Sequence, residues 1–423
     1  MKERIMVSIA VLVVLASGVS GASILVEFPI TTELHEQWCP AIYGNIIVWE
    51  DWRNGGWPNL DIYGYDLITS TEFQITTIPA TEYWPAIHGN TVVWQDNRNG
   101  NYDIYGYNLV TQEEFPITTN GSEQRSPAIY GNTVVWQDDR NGNYDIYGYN
   151  MLTNQEVRIT TDPNNQYTPA IYGNIVVWND YRNGNGDVYG YHLITKKEFP
   201  ITKDPSEQWY PEIYKNTVIW QDWRNDVCCL DNADVYGYDL ATSTEFQITS
   251  YPGREDVPAI YGNIVAWHSG SSSYFYDHVT STRVQITITS SVFHSPAVYC
   301  NIVVWMDYRN GNSDIYAALL DTNFCTRPTS SVYHSVKSME PLAKTNMLKA
   351  KELQSEALDV LSQAQEKGID TSCCEGLLEE AEELLLTAQE YFKGGNYIAA
   401  NNYAIESIRA YEEFLECLRG LDC

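Results

Sequence analysis

Residues 23–323 consist of short apolar runs, rich in β-branched and aromatic side chains and separated by Gly-Asn and Asn-Gly pairs. One unit contains four such segments: SPAIYGN at 126–132, TVVWQDDR at 133–140, YDIYGYNML at 144–152 and QEVRITT at 155–161. Runs of this composition bounded by Gly and Asn favour strands, and the Asn141-Gly142 pair favours a tight hairpin. The pattern therefore predicts a unit of four antiparallel strands.

The unit recurs seven times, and a tryptophan in its second segment marks each copy. These tryptophans lie 38 to 47 residues apart and are Trp49, Trp94, Trp136, Trp178, Trp220, Trp267 and Trp305. Such a period with four strands is typical of a β-propeller blade. The seventh copy lacks its fourth segment, whereas LVEFPITT at 25–32 matches EEFPITT at 113–119. We therefore expect a mainly β, seven-bladed propeller over residues 23–326, closed by its N-terminal strand because an open seam would leave sheet edges unpaired.

Both ends of the chain differ from the repeats. Lys2 and Arg4 precede an apolar run and then small residues, which is the order of a secretory signal peptide at residues 1–22; an uncleaved anchor is the alternative. After a linker at 327–341, Ala, Leu, Glu and Lys dominate, with apolar residues at helical spacing. Helices are predicted at about 342–367, 374–393 and 397–420, which form a three-helix α bundle over residues 342–423.

Charge and cysteine content narrow the possible partners and the compartment. The formal net charge of −30 argues against nucleic acid as a partner and against docking on an anionic membrane. After removal of the signal we expect no membrane span. Nine cysteines in an exported chain favour disulfides, and the odd number leaves at least one thiol free or intermolecular. If the second and third helices run antiparallel, Cys373 or Cys374 lies near Cys417 or Cys423.

The repeat SPAIYGNTVVWQDDRNGNYDIYGYNM…ITT resembles the TolB-like propeller repeat. The similarity lies in its first-strand proline, its Asp-x-Arg-x-Gly hairpin, its Asp-Ile-Tyr strand and its closing Ile-Thr, and it covers residues 23 to about 323. The repeat is also similar to the propellers of archaeal exported surface proteins. This resemblance implies a binding scaffold of the cell envelope, whereas some related propellers are enzymes. The motif is specific for the fold and not for one function.

In six of the seven units the hairpin after the marker tryptophan carries acidic residues around an arginine, whereas the unit after Trp267 has lost the pattern. In two copies these are Asp96, Arg98 and Asp103, and Asp138, Arg140 and Asp145. Asp and Asn oxygens in a Gly turn are possible calcium ligands, but an arginine beside the carboxylates competes with a metal ion. We therefore predict a structural turn, in which the carboxylates pair with the arginine and cap backbone amides, and no metal or cofactor.

Function is expected where the repeats differ, at the entrance to each first strand. The first strand of a blade lines the central channel, so the residues before its proline should surround the channel mouth. Two positions before that proline stand Trp38, Tyr83, Arg125, Tyr167, Trp209, Asp256 and His294. Further out stand Gln37, Gln124, Gln166 and Gln208, and beyond three of them Glu36, Glu123 and Glu207. Because residues two apart on a strand share a face, the residue two before the proline should point as the proline does.

Aromatic faces bordered by carboxylates and amides suit stacking on sugar rings or contact with peptide side chains. The alternative is that they fill the channel and pack on one another. A propeller hydrolase or lyase acting on polysaccharide would need a convergent acid and base; His268, His294 and Asp256 are the nearest candidates, whereas His88 replaces a repeated tyrosine. We assign no catalytic residue and expect a non-catalytic binding or scaffolding protein of the cell envelope. It is secreted or at the cell surface, and its partner is an envelope protein or a polysaccharide.

Overall fold

The computed structural model describes residues 23–56, 59–69, 71–226, 232–251, 253–270, 272–277, 282–286, 296–321, 340–367, 369, 371, 374–393 and 397–421. The chain divides into two compact units, Met1–Thr326 and Arg327–Cys423, which are described separately. The predicted signal peptide, most of the predicted linker, Cys373, Cys423 and His294 lie outside the described residues.

The first unit is a seven-bladed propeller of four-stranded antiparallel sheets, so the predicted fold is confirmed. The first strands of neighbouring blades contact one another and therefore surround the axis. Blades one to three comprise β2 (Gln37–Tyr43), β3 (Ile46–Gly56), β4 (Asn59–Asp66), β5 (Thr71–Gln74), β6 (Glu82–His88), β7 (Thr91–Asp96), β8 (Asp103–Asn108), β9 (Glu113–Pro116), β10 (Gln124–Tyr130), β11 (Thr133–Asp138), β12 (Asp145–Asn150) and β13 (Gln155–Arg158). Blades four to six comprise β14 (Gln166–Tyr172), β15 (Ile175–Asp180), β16 (Asp187–His192), β17 (Lys197–Pro200), β18 (Gln208–Tyr214), β19 (Thr217–Asp222), β20 (Asp234–Asp239), β21 (Thr244–Gln247), β22 (Glu255–Tyr261), β23 (Ile264–Ser269), β24 (Ser272–Asp277) and β25 (Thr282–Gln285).

Blade seven is assembled from both ends of the propeller sequence. It contains β26 (Ala297–Tyr299), β27 (Ile302–Asp307) and β28 (Asp314–Asp321), and its fourth strand is β1 (Ser23–Pro29). The β1 strand pairs antiparallel with β28, from Ser23 opposite Asp321 to Pro29 opposite Tyr316. The pairing joins the first and last strands and removes the open edge that blade seven would otherwise have.

The hydrophobic core lies between blades, which explains why consecutive residues in the middle of each second strand are apolar. In blade two, Val92 and Trp94 pack against residues of blade one, whereas Val93 packs against residues of blade three. Successive strand residues point to opposite faces, so a strand between two neighbours needs apolar residues on both. All seven marker tryptophans are fully buried in these interfaces.

The glycine of the repeated IYGY segment makes room for an aromatic ring from the fourth strand. Gly106 pairs with Phe115, and a Cβ at Gly106 would lie 2.7 Å from the Phe115 ring. In blade three the partner of Gly148 is Val157, and a Cβ there would meet Ile159 at 3.2 Å. The repeated Gly therefore serves strand-to-strand packing, most strictly where the partner is phenylalanine.

The second unit contains the three predicted helices, α1 (Glu340–Glu366), α2 (Glu375–Lys393) and α3 (Tyr397–Leu421). Its core includes Ala357, Leu385, Tyr411 and Phe414. A disulfide joins Cys374, just before α2, to Cys417 on α3, so one of the alternatives predicted from the sequence is present. Among the described residues, no helix has both the length and the apolar character needed to cross a membrane.

Candidate ligand-binding rim

The Asp-x-Arg hairpin is a closed network of hydrogen bonds within each blade. In blade two, Asp96 accepts hydrogen bonds from Trp94 Nε1 at 3.1 Å, from the Arg98 amide at 2.8 Å and from Arg98 Nε at 2.9 Å. Arg98 also pairs with Glu114 on the fourth strand. Its guanidinium carbon lies 4.0 Å from the centroid of the Tyr105 ring. The arginine thus occupies the space between the carboxylates, where a metal ion would have to bind.

The same contacts recur around Asp138 and Arg140, and the acidic residue that follows each Asn-Gly pair completes the hairpin. Asn99 Nδ2 donates to Asp103 at 2.9 Å, and Asn141 Nδ2 donates to Asp145 at 2.8 Å. Within the part of the chain that the structure describes, no group of three or more His, Cys, Asp or Glu side chains is arranged to hold a metal ion. The hairpins stabilise the end of each blade around which the rim is built.

Blade six lacks this hairpin arginine and recovers its packing from another strand. Arg283 stands on β25 opposite Tyr276, the position at which Glu114 of blade two stands opposite Tyr107. Its guanidinium carbon lies 3.9 Å from the Tyr274 ring centroid and 3.7 Å from that of Tyr251. The sequence signal was the change from TEFQ in other blades to TRVQ at 282–285, which sequence reasoning missed.

A β-bulge in the first strand changes which side chains share a face. In blade five the register moves between Trp209, which pairs with Gln221, and Glu212, which pairs with Ile219. The intervening Tyr210 has φ 53°, and Cys39, Trp84, Ser126, Thr168 and Val257 have φ between 46° and 55° at the equivalent position. The expectation that the residue two before the proline points as the proline does is wrong, because the extra residue shifts the alternation.

We define the rim as the described residues two before each proline, and the structure places all of them half-buried at one end of the channel: Trp38, Tyr83, Arg125, Tyr167, Trp209 and Asp256. Trp209 packs on Trp223 with ring centroids 5.4 Å apart, and Tyr167 packs on Tyr144 of the preceding blade at 5.3 Å. Arg125 covers the Tyr102 ring of the preceding blade at 4.5 Å. The rim is therefore a belt of aromatic and cation–π contacts that bridges blades.

Asp256 is the acidic member of the rim, and its contacts are ionic and amide contacts. It accepts a hydrogen bond from Gln221 of blade five, and Arg254 Nε lies 2.5 Å from its carboxylate. Asp256 pairs across the sheet with His268, which is buried. Of the candidate acid–base residues, His268 and Asp256 are thus adjacent, and His294 lies outside the described residues.

The three outer glutamates fasten neighbouring blades to each other. Glu207 Oε2 accepts the Gly186 amide of blade four at 2.8 Å and Trp209 Nε1 at 3.0 Å. Glu123 Oε2 accepts the Tyr102 amide and an Arg125 N–H, and Glu36 Oε2 accepts the Ser313 amide and Trp38 Nε1. Their carboxylates are therefore engaged within the protein, and aromatic surface is what the rim offers to a ligand.

The rim also includes two exposed aromatic residues that were missed, because they sit on the bulge itself. Trp84 is 47% exposed and Tyr210 is 37% exposed. Their backbone N–H groups donate to Glu50 Oε1 at 2.8 Å and to Asn179 Oδ1 at 3.0 Å in the preceding blades. The position after the marker tryptophan, which holds Glu50, Gln95, Gln137 and Asn179, thus fixes the bulge of the next blade. The only signal in the sequence is an aromatic residue directly before the proline.

Glu50 is the acidic member of this layer. Burial raises the pKa of the Glu50 carboxyl to about 7, although hydrogen bonds from the Trp84 amide and the Cys39 side chain oppose the shift. Tyr83, near the same carboxyl, has a pKa raised to about 12, mainly by burial and then by Tyr102 and Glu50. The Glu50 carboxyl is buried behind the bulge of the next blade, and its raised pKa makes it a candidate proton donor or acceptor beneath the rim.

The glutamines predicted next to the rim are buried below it. Gln37, Gln124, Gln166 and Gln208 are fully buried, and the same position in blade two holds Glu82. Thr76 Oγ1 of blade one donates to Glu82 Oε2 at 3.1 Å, as Thr160 Oγ1 does to Gln166 Oε1 at 2.8 Å. Burial, with the charges of Asp96 and Asp61, raises the pKa of Glu82 to about 9. This layer is polar but holds blades together.

At the other end of the first strands, seven aromatic side chains form a closed ring that we name the collar. Every neighbouring pair is in contact, with ring centroids 4.4 to 5.0 Å apart. The members are Tyr43, His88, Tyr130, Tyr172, Tyr214, Tyr261 and Tyr299. Burial lowers the pKa of His88 to about 3, and its Nδ1 accepts the Gly131 amide at 3.1 Å. His88 thus occupies a tyrosine position as a neutral aromatic residue, and the collar constricts the channel.

Solved structures of several propeller proteins are similar to this chain. An oligogalacturonate lyase in complex with manganese matches with a TM-score of 0.54 and 11% identity, over 74% of this chain and 96% of the lyase. A puromycin-hydrolysing peptidase of Mycobacterium tuberculosis matches with a TM-score of 0.51 and 11% identity, over 64% of this chain and 49% of the peptidase. A TolB of Acinetobacter baumannii matches with a TM-score of 0.45 and 18% identity, over 57% of this chain, which spans 63% of that TolB.

These similarities concern the fold. No protein-family model and no curated protein match the sequence. The lyase and the peptidase share the propeller architecture with this chain at identities that show the fold alone. The predicted likeness to archaeal exported proteins stays a prediction.

Proposed function

We propose that this protein is a non-catalytic binding or scaffolding protein of the cell envelope, and that its rim recognises an envelope protein or a polysaccharide. The observation that carries the proposal is the concentration of aromatic surface at one end of the channel, with Trp84 and Tyr210 exposed above the half-buried rim. Rigid aromatic faces supply contact area at low entropic cost, and they suit sugar rings and peptide side chains alike.

Three features support an envelope location. The Cys374–Cys417 disulfide is typical of an oxidising compartment. The first 22 residues have the order of a signal peptide. The net charge of −30 disfavours binding to nucleic acid and is compatible with cationic partners.

The proposal is tested with envelope material from the organism of origin. Mature full-length protein is incubated with that material before and after its glycans are stripped, and the bound fraction is measured. A Trp84→Ala/Tyr210→Ala variant should bind at least about tenfold more weakly, because hot-spot aromatic residues each contribute about 2 kcal/mol or more. The matched control is Leu152→Ala, which truncates a side chain that is 72% exposed in a turn of blade three at the collar end.

The two partner classes give different results in this assay. Binding that disappears with the glycans identifies a polysaccharide, and binding that survives identifies a protein. Equal binding by the wild type and the rim variant, with Leu152→Ala unchanged as well, would refute the rim as the recognition surface.

A propeller hydrolase or lyase acting on polysaccharide is the second candidate. Glu50 favours it, because a carboxyl with a pKa of about 7 beside the channel mouth can donate or accept a proton. The test is an assay of oligogalacturonates and related polymers for unsaturated or shortened products. The Glu50→Gln variant, which installs the amide found at Gln95 and Gln137, should fold and abolish any activity. No product from the wild type would remove this candidate.

A further inference from the structure

The bulge places three side chains of β18 on one face, from the rim to the collar. Trp209 pairs with Gln221 and Glu212 pairs with Ile219, so Trp209 and Glu212 lie on the same side of the sheet. Glu212 and Tyr214 are two residues apart in regular pairing and also share that face. Ile213, between them, is buried on the opposite face. Glu212 therefore stands along the first strand between a rim residue and a collar residue.

Glu212 is the single ionisable residue at its position among the seven blades. The residue after the first-strand proline is alanine in the other six: Ala41, Ala86, Ala128, Ala170, Ala259 and Ala297. Glu212 is exposed even though β18 is the strand of blade five nearest the axis. An exposed side chain on the innermost strand is in contact with solvent of the channel. The other blades leave room there, because a methyl group is all that they contribute.

No lysine or arginine among the described residues forms a salt bridge with this carboxyl. Desolvation by the surrounding channel wall raises the pKa of Glu212 to about 7, against a hydrogen bond from the Ile213 amide. A carboxylate that lacks a counterion in a partly desolvated channel is stabilised by any cation that enters.

The collar supplies the rest of the site. Tyr214 contacts Tyr172 at 5.0 Å and Tyr261 at 4.6 Å between ring centroids, so aromatic rings surround the channel next to Glu212. Aromatic faces attract ammonium groups and repel anions. Lys215, in the exposed turn that follows β18, already has its Nζ 5.9 Å from the Tyr214 ring centroid.

We propose that the channel between rim and collar binds an alkylammonium group, such as a lysine side chain of a peptide ligand, with the Glu212 carboxylate as its counterion and the collar as its aromatic surroundings. The inference rests on the proposed function, because it names the group that a ligand at the rim inserts. Because of the bulge, Trp209 and Glu212 lie opposite Gln221 and Ile219, two positions apart on β19, so about 7 Å of strand separates them, and the group must be long and thin. A lysine side chain meets that requirement, whereas a sugar ring is wide and uncharged.

The test uses the full-length protein and two small probes. Isothermal titration measures binding of Nα-acetyl-lysine N-methylamide and of its norleucine analogue, which lacks the ammonium group. The lysine probe should bind and the norleucine probe should bind at least tenfold more weakly. Glu212→Ala and Glu212→Gln should each weaken lysine-probe binding at least tenfold. Glu113→Gln removes an equal charge from an exposed position on β9 and should leave binding unchanged.

Glu212→Ala is expected to fold, since it installs the residue of the other six blades, and tryptophan fluorescence checks this. No binding of the lysine probe, equal binding of both probes, or unchanged binding in a folded Glu212→Ala variant would each overturn the inference. Its failure is separable from that of the proposed function. Envelope binding that depends on Trp84 and Tyr210 without lysine-probe binding removes the channel site alone. Lysine-probe binding together with envelope binding that does not depend on Trp84 and Tyr210 removes the rim alone.

Discussion

The rim and the collar are built by the same first strands, yet one end varies from blade to blade and the other is nearly uniform. On β18 they are only five residues apart, at Trp209 and Tyr214. Each collar side chain contacts the equivalent side chains of both neighbours, so a change in one affects two contacts. Rim side chains contact instead the hairpin of their own or the preceding blade, as Trp209 beside Gly186 and Arg125 beside Tyr102 show, whereas Asp256 contacts Gln221 and Arg254.

The comparison teaches that repetition in this propeller marks mutual packing, and variation marks the surface that we propose as the ligand site. The collar, the marker tryptophans and the Asp-x-Arg hairpins are repeated because blades contact blades through them. The rim departs from repetition without losing the inter-blade contacts, as the pairing of Glu207 with Gly186 shows.

The largest stability effect is expected in the collar. Tyr130→Ala removes contacts with both His88 and Tyr172, and should lower the free energy of unfolding by about 2–4 kcal/mol. Denaturant unfolding followed by tryptophan fluorescence reports the propeller alone, since every tryptophan precedes residue 306. If Tyr130→Ala lowers the free energy of unfolding no more than Trp84→Ala does, the distinction between collar and rim is contradicted.

The second effect concerns the buried layer beneath the rim. The pKa of Glu82 is raised to about 9 from an ordinary 4.5, so the folded protein keeps a proton that the unfolded chain releases. Stability should therefore fall as pH rises from 4.5 to 9, by at most about 1.4 kcal/mol per pH unit. Glu82→Gln should make this slope shallower, most of all between pH 7 and 9, because Glu255 and Glu50 have pKa values raised only to about 7; it should also stabilise the protein at pH 8. Gln124→Glu places a second acid at the equivalent position and should steepen the slope, and an unchanged slope in either variant would contradict the assignment.

A third comparison tests why glycine is repeated in the third strand of the blades. Gly106→Ala should cost about 1–3 kcal/mol, since the new Cβ meets the Phe115 ring at 2.7 Å. Gly148→Ala should cost less, because the nearest atom is the flexible end of Ile159 at 3.2 Å. Thermal unfolding of the two variants side by side measures the difference. Equal costs would mean that the phenylalanine does not impose the glycine.

The smallest effect is expected where the collar is not uniform. His88 has a pKa lowered to about 3 from 6.5, so the unfolded chain takes up a proton that the folded protein refuses, and stability falls as pH drops from 6.5 towards 3. His88→Tyr should match the wild type at pH 7, within about 1 kcal/mol, and be more stable at pH 4.5. Denaturant unfolding at both pH values is the check, and a variant that is less stable at pH 4.5 would show that histidine is required there.

The sequence predicted the blade count, the closing strand segment and the three helices, because each depends on patterns of apolar residues that local physics controls. It did not predict that Trp84 and Tyr210 are exposed, since a positive φ before proline is fixed by Glu50 and Asn179 of the preceding blades. Nor did it show that the carboxylates of Glu36, Glu123 and Glu207 are engaged within the protein. The amide partners of Glu123 and Glu207 lie in hairpins about 21 residues before them, and the amide partner of Glu36 is Ser313. The only collar position that the sequence analysis singled out was His88, where histidine replaces the repeated tyrosine.

The central claim is that ligands bind at the rim end, and oxidative footprinting of the protein with its envelope ligand tests it most directly. Mass spectrometry follows labelling of Trp84 and Tyr210 at the rim, and of Leu152 and Ile194 in exposed turns at the collar end. The account predicts protection of Trp84 and Tyr210 on binding, with Leu152 and Ile194 labelled as in the free protein. Protection of Leu152 and Ile194, with Trp84 and Tyr210 unchanged, would contradict it.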